Sequence, residues 1–302
     1  MKYSIITINF NHRDGLRKTI ESVIIQSCKN YEFIVIDGGS TDGSREFIEQ
    51  YSANINYWVS EPDKGIYNAM NKGIKAANGE YLIFMNSGDT FYDEKALESS
   101  LPYMNDDIVQ GIAKNQDMSE TPLCLVEIPG KTQLFSPSLH HQSCFFRKKL
   151  FEHSLYDENY KIVADWKFYI EQLIFYHCTF LRMPVKVAIY EGGGISDTSK
   201  DIDFEERKKV IAGIEKLLKE KGLYDLWEKE LLHVKFTTKQ RFLINKSHVN
   251  VDKFVNTFPE SSGYYVYYPF SKKQRLLFFL ANHRMSHLIK VLLKAQKCLS
   301  SF

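Results

Sequence analysis

The chain predicts an α/β fold on a doubly wound, mainly parallel sheet flanked by helices, and three observations carry that expectation. Short apolar strand runs alternate with helical patterns through the first third, the rhythm of right-handed crossover units. The stretch Tyr81–Asp89, Y-L-I-F-M-N-S-G-D, is continuously apolar and then abruptly polar, as in a strand buried on both faces whose exit reaches a ligand site. Polar and acidic residues end the strands instead of glycine fingerprints. There is no G-x-G-x-x-G after the first strand and no G-x-x-x-x-G-K-[ST] anywhere, which separates the chain from dinucleotide-binding and P-loop folds.

The elements follow in order. Tyr3–Ile8 reads as the first strand, with Thr7-Ile8-Asn9-Phe10-Asn11 as its polar exit. Leu16, Ile20, Val23 and Ile24 then recur at helical spacing, with Asp14 as the expected cap. Glu32–Ile36 is the second strand, followed by the loop Asp37–Ser44 and a helix carrying Phe47, Ile48 and Tyr51, capped by Asp42 or Ser40. Ile55–Val59 is the third strand. Beyond Glu61-Pro62-Asp63-Lys64-Gly65 comes a helix with Ile66, Met70, Ile74 and Ala77 on one face, closed by Asn78-Gly79. The strand from Tyr81 follows.

Composition sets bounds. The 302 residues suffice for one or two domains, and 44% hydrophobic with 25% charged residues is ordinary for a globular protein. A net charge of +2 argues neither for nor against a polyanionic partner, and no recognised nucleic-acid-binding module accompanies the charge. No signal peptide or bilayer-length apolar run is found, so a cytoplasmic location is expected. The five cysteines are widely spaced and form no C-x-x-C, so free thiols are expected.

The strand ends carry the chemistry. Gly88 permits close backbone approach, and Asp89 is a hard oxygen donor suited to Mg²⁺ or Mn²⁺. Carboxylates cannot cradle phosphate directly, so acidic strand ends point to a base, a sugar or a bridging cation. Together these favour a nucleotide-diphospho compound held through a metal. A carboxylate in such a loop also commonly serves its own turn, and for Asp37 both readings stay open.

Four ordered motifs, Ser4–Asn11, Ile34–Ser44, Asp63–Gly79 and Glu80–Asp89, resemble the amino-terminal half of family 2 glycosyltransferases with the GT-A fold. The likeness spans about residues 1–195 and is nearest to members that build capsules, exopolysaccharides and O-antigens. It implies a nucleotide-activated sugar donor, a divalent cation and inversion at the anomeric carbon. By the resemblance, Thr7 and Asn9 line the base and ribose pocket, and Asp37 matches the first carboxylate of the paired V-D-D-G-S loop. The second carboxylate is Gly38 here, so Asp63 is the substitute the resemblance suggests. Asp89 matches the last carboxylate of the D-x-D-like motif, whose first position is Ser87 or Asn86, leaving a charge-poor metal site.

Further along, S-P-S-L-H-H-Q-S before Cys144-Phe145-Phe146-Arg147 resembles the family's acceptor-side segment, where either His140 or His141 contacts sugar or metal. Strand geometry lets only one of them face the site, His141 being the candidate nucleotide-sugar contact. Asp165, in I-V-A-D-W-K-F, matches the family's general base; an N-cap is the plainer alternative. Trp166 is a sugar wall or core. Pro184–Tyr190 reads as a strand, and Glu191–Ser196 as a glycine-rich lid or a plain connector. From Asp203 the pattern is helical. A basic amphipathic stretch from Lys272 to Lys297 suits an anionic membrane surface, an ordinary packing face or homo-oligomerisation.

The expected organisation is a catalytic domain at 1–200 and a helical region at 201–302, the latter contacting membrane or partner. The expected activity is transfer of a sugar to a hydroxyl of a glycan or polyprenyl-linked acceptor at the inner face of the membrane. A catalytically inactive sugar-nucleotide-binding protein and a nucleotidyltransferase are the rival readings.

Overall fold

The computed structural model describes residues 1–119, 140–176, 178–220 and 265–267. The basic stretch from Lys272 to Lys297 and the helical pattern from Leu223 lie outside the described residues, as do Cys124 and Cys298. Cys28, Cys144 and Cys178 are free thiols.

Four strands form the parallel half of one sheet: β1 (Tyr3–Asn9), β2 (Tyr31–Asp37), β3 (Tyr57–Ser60) and β4 (Tyr81–Phe84), in spatial order β3-β2-β1-β4. Helices α1 (Arg13–Ile24), α2 (Ser44–Gln50) and α3 (Ile66–Ala76) make the crossovers. The sheet then continues through β7 (Cys144–Arg147), β6 (Ile108–Asn115), β8 (Phe180–Tyr190) and β5 (Thr90–Phe91), with mixed directions. Strand β9 (Tyr265–Tyr267) pairs antiparallel with β8. Pro184 falls where the β6–β8 register shifts, the place in a sheet where a missing N–H is tolerated.

Alternation along the strands builds a core on each face. Ile6, Ile8, Ile34, Ile36, Leu82, Phe84 and Phe146 point toward α3 and toward α5 (Ala164–Phe175). Tyr3, Ile5, Phe33, Val35, Tyr81 and Ile83 point toward α1, α2 and α4 (Ala96–Ser100). On the first face an aromatic cluster seats α5, with Phe151 and Phe168 stacked at 4.5 Å and Tyr156 edge-on to both.

Three local expectations are corrected. The N-cap of α1 is His12, not Asp14; Asp42 instead reaches across from the next loop and accepts the Arg13 N–H at 2.8 Å. On α3 the inward residue of the first turn is Tyr67, while Ile66 is 36% exposed. The reason is polar, because the Tyr67 hydroxyl has its partners at the start of α5, the Ile162 carbonyl and Asp165 Oδ1. Asn78-Gly79 is no mere helix stop: the Gly79 N–H donates to Ser4 Oγ at 2.7 Å and Glu32 Oε1 at 2.9 Å, stapling α3 to β1 and β2.

Short helix α6 (Ile195–Thr198) leads into α7 (Lys200–Glu220), which buries Val210, Ile211 and Ile214 in the same cluster as α5. Its Glu206, 8% exposed, accepts the N–H groups of Lys161, Ile162 and Val163 at 2.7, 3.0 and 3.3 Å. These are the residues that deliver the chain to α5, so α7 supplies from a distance the acceptor that α5 lacks at its own N-cap, Val163. Glu206→Ala leaves two buried donors, Ile162 and Val163, and the part-buried Lys161 N–H short of a partner and is expected to cost about 2–4 kcal/mol in urea unfolding, with Glu206→Gln losing less.

Candidate active site

The carboxyl ends of β1, β2, β3 and β4 form one rim, and the first cluster of expected residues lies along it. Asn9 and Asp37 are register partners at the ends of β1 and β2. Asp37 is buried and accepts from Asn9 Nδ2 (2.7 Å), Ser40 Oγ (2.5 Å), the Ser40 N–H (2.9 Å) and Ser60 Oγ (2.6 Å). Burial alone would raise its pKa, but these hydrogen bonds outweigh it and hold the carboxyl below its ordinary value. Thr7 is also buried, its hydroxyl donating to the Met85 carbonyl at 2.7 Å. Thr7, Asn9 and Asp37 therefore knit the rim together. Asp63 is the more open carboxylate. A Cβ on Gly38 would come 2.6 Å from Asp63 Oδ2 and 3.1 Å from the Phe10 ring, so the missing side chain at Gly38 makes room for the Asp63 carboxylate. Phe10 itself is 64% exposed.

The second cluster lies on the loop Asn86–Asp89 after β4. Gly88 has φ +102°, a left-handed value that glycine accommodates. Thr19, buried on α1, accepts the Gly88 N–H at 3.0 Å and donates to the Asp89 carbonyl at 2.7 Å. The Asp89 carboxylate is 5% exposed and accepts the Glu191 N–H at 2.9 Å. Burial pushes its pKa up to about 6, opposed by that N–H and by the nearby His141. The Glu191 carboxylate packs over Gly88 and pairs with Lys18 at 3.1 Å and His12 at 3.4 Å.

His141 and Asp165 join this cluster to the start of α5. A 3-10 turn, His141–Ser143, places the imidazole between two partners. Its Nε2 lies 3.0 Å from Asn86 Nδ2 and its Nδ1 lies 3.3 Å from Asp165 Oδ2. Asp165 sits in the first turn of α5, not at its N-cap, and Oδ1 accepts from the Tyr67 hydroxyl (2.9 Å) and the Trp166 N–H (2.8 Å). Burial by itself would raise the Asp165 pKa, but His141, Tyr67 and the Trp166 N–H lower it. For His141 burial favours the neutral ring, yet Asp165 and Asp89 carry its pKa upward. The two side chains remain 25% and 19% exposed, so both are open to solvent. Trp166 is core, 4% exposed, with the Arg207 guanidinium 4.6 Å from its ring centre.

Asn68 and Asn71 of α3 hold the segment leading toward α5. Asn71 donates to the Tyr156 carbonyl (2.9 Å) and to Glu158 (2.8 Å), and Asn68 donates to Glu158 (2.8 Å). Tyr67, Thr19 and Glu191 were not legible as site residues in advance. Thr19 had a signal, being a polar residue within the apolar stripe Leu16–Ile20–Val23. Glu191 stood only as the first residue of a glycine-rich loop.

Among the described residues no group of three His, Cys, Asp or Glu side chains forms a ready metal cage. The Asn86–Asp89 loop offers hard oxygens instead. Asn86 Oδ1 and Ser87 Oγ are buried without a hydrogen-bond partner, beside the single carboxylate of Asp89. That donor set fits a small divalent cation that keeps several waters and takes its remaining ligands from a bound diphosphate.

Comparison with known proteins bears on the family and the fold. The model of glycosyl transferase family 2 matches residues 4–158. A Mycobacterium bovis protein named PGL/p-HBAD biosynthesis glycosyltransferase is 28% identical over 214 residues, 68% of this chain and 83% of its own. The putative teichuronic acid biosynthesis glycosyltransferase TuaG of Bacillus subtilis is 36% identical over 104 residues, 33% of this chain and 41% of its own. Among solved structures, S. aureus TarS 1-349 superposes with a TM-score of 0.58 at 18% identity, covering 78% of this chain and 76% of that one. In its complex with UDP-GlcNAc the shared part is 66% of this chain and 61% of that one, with a TM-score of 0.55. The mannosyltransferase PcManGT from Pyrobaculum calidifontis, in complex with GDP-Man and Mn²⁺, gives a TM-score of 0.51 at 14% identity, over 65% of this chain and 58% of that one. These structures share the GT-A-like mixed α/β fold. The chain belongs to glycosyl transferase family 2 and is a glycosyltransferase.

Proposed function

We propose that the chain transfers a sugar, with inversion, from a nucleotide-diphospho-sugar to a hydroxyl of a glycan or polyprenyl-linked acceptor in surface polysaccharide biosynthesis. The observation that carries this reading is the partly exposed Asp165 carboxylate, joined through His141 to the donor-side loop Asn86–Asp89. Asp165 removes the proton of the acceptor hydroxyl as that oxygen attacks C1 from the face opposite the departing nucleoside diphosphate. Phe10, Asp63 and the Asn9–Asp37 rim hold the nucleoside end. Asp89, with Ser87 and Asn86, would hold a Mg²⁺ or Mn²⁺ ion, which when bound neutralises charge on the leaving diphosphate. Support for a nucleotide-sugar comes from TarS and PcManGT, whose solved complexes contain UDP-GlcNAc and GDP-Man with Mn²⁺. The names of the mycobacterial protein and TuaG support a cell-surface glycan or glycolipid product.

No helix among the described residues is long and apolar enough to cross a membrane. Residues 1–200 act as the catalytic domain in this reading. The region 201–302 brings it to the inner face of the membrane, to a partner or to a second copy.

The test is a thermal-shift panel of UDP-, GDP- and dTDP-sugars with and without Mn²⁺, followed by transfer assays with the stabilising donor. Asp165→Asn is expected to lower turnover by about 10²–10⁴-fold; undiminished turnover removes Asp165 from the chemistry, and no turnover in the wild type favours the inactive sugar-nucleotide-binding reading. A pH dependence follows from Asp89, whose carboxyl titrates at about 6. The cation takes the ionised form, so Mn²⁺ affinity by calorimetry should be flat above that pH. Below it, affinity should fall by about tenfold per pH unit, and Asp89→Asn should abolish the slope.

A further inference from the structure

We propose that His141 is a positioning residue that couples the two sides of the site, holding Asn86 of the donor-side loop and the Asp165 carboxylate in one hydrogen-bonded relay. The geometry allows one neutral arrangement. Asp165 accepts at Oδ2, so Nδ1 of His141 carries the proton, and Nε2 is left as an acceptor for Asn86 Nδ2. Each contact thereby dictates the next. Asp165 selects the tautomer, the tautomer selects which end of the Asn86 amide faces the ring, and Asn86 Oδ1 is left buried and unpartnered. An unpaired buried carbonyl oxygen is unfavourable unless a bound molecule completes it. The relay thus presents an acceptor atom to the donor side while it fixes the carboxylate on the acceptor side.

Both ends are anchored on separate elements. Asp165 is held by Tyr67 of α3 at 2.9 Å, and the loop bearing Asn86 is held by Thr19 of α1 at Gly88 and Asp89. His141 lies between them, and its own backbone is fixed in the 3-10 turn where the His140 carbonyl accepts the Ser143 N–H at 2.8 Å. Displacement of the Asn86–Asp89 loop would pull on the imidazole and, through it, on the carboxylate.

Nitrogen-15 NMR of the histidines at about pH 9, where imidazoles are neutral, reads the relay without any substrate. The Nδ1–H tautomer is expected for His141 in the full chain, reverting to Nε2–H in Asp165→Ala; an Nε2–H tautomer in the wild type overturns the proposal. Two near-isosteric variants then divide the contacts. His141→Asn keeps a donor at the Nδ1 position and loses reach to Asn86, whereas His141→Gln keeps an acceptor at the Nε2 position and loses Asp165. Because the contacts are linked, each variant should both weaken UDP–Mn²⁺ binding in calorimetry by about fivefold or more and lower turnover at saturation. A loss confined to binding in one variant and to turnover in the other, or no change in either, overturns the coupling. Should a variant fail to fold, Asn86→Ala replaces it, with the Nδ1–H tautomer retained and UDP–Mn²⁺ affinity reduced; retained affinity overturns the proposal. The kinetic arm rests on the glycosyltransferase reading and the NMR arm does not. An Nδ1–H tautomer in a protein that binds no UDP with Mn²⁺ therefore sinks that reading and leaves the relay standing.

Discussion

A carboxylate whose pKa is held down while it stays partly exposed imposes the central constraint on this molecule. Asp165 answers it with hydrogen bonds from three directions: Tyr67 across the layer, His141 from the 3-10 turn and the Trp166 N–H of its own helix. Burial alone would raise the pKa of such a group, and the partners reverse that direction. Each partner needs its own element in place. The Tyr67 hydroxyl reaches Asp165 because α3 is stapled to β1 and β2 at Gly79. The approach to α5 is set by Glu206 of α7 and by the aromatic stack beneath. Helix α7 thus shapes the site without touching it.

The opposite rim works by the same logic with different chemistry. Asp37 is a hub for Asn9, Ser40 and Ser60, which fixes the ends of β1, β2 and β3 relative to one another. Asp89 is as deeply buried but accepts fewer hydrogen bonds, so its carboxyl is raised where that of Asp37 is lowered. Two aspartates, one at the end of β2 and one beyond β4 on the other side of β1, therefore divide the work: one organises the rim, and the other remains short of positive partners. A group of the second kind gains most from a bound cation.

Much of this was legible in the sequence, for physical reasons. The parallel half of the sheet is legible because β1, β2 and β4 are buried on both faces, and β4 reads as an unbroken apolar run. The helices α1 and α3 were found by periodicity, yet their fine placement was not. Ile66 looked inward by spacing alone, whereas the structure turns Tyr67 inward for its hydroxyl contacts. Asp14 looked like a cap, but Asp42, distant in sequence, holds the Arg13 N–H. Thr19, Glu191 and Glu206 act across layers on groups that the chain order keeps far apart, and no local pattern reports such contacts. Gly38 was read as a lost carboxylate, and the structure adds that its bare backbone is what admits Asp63.

The central claim is that the Asn86–Asp89 loop and Asp165 belong to a single site bridged by His141. Paramagnetic broadening of histidine resonances by Mn²⁺ with UDP tests it most directly, since the effect falls steeply with distance from the ion. His153 is an internal control, stacked on Tyr176 at the far end of α5 from Asp165. The account predicts that the His141 signals vanish at substoichiometric Mn²⁺ while those of His153 persist; a His141 signal as sharp as that of His153 would contradict it.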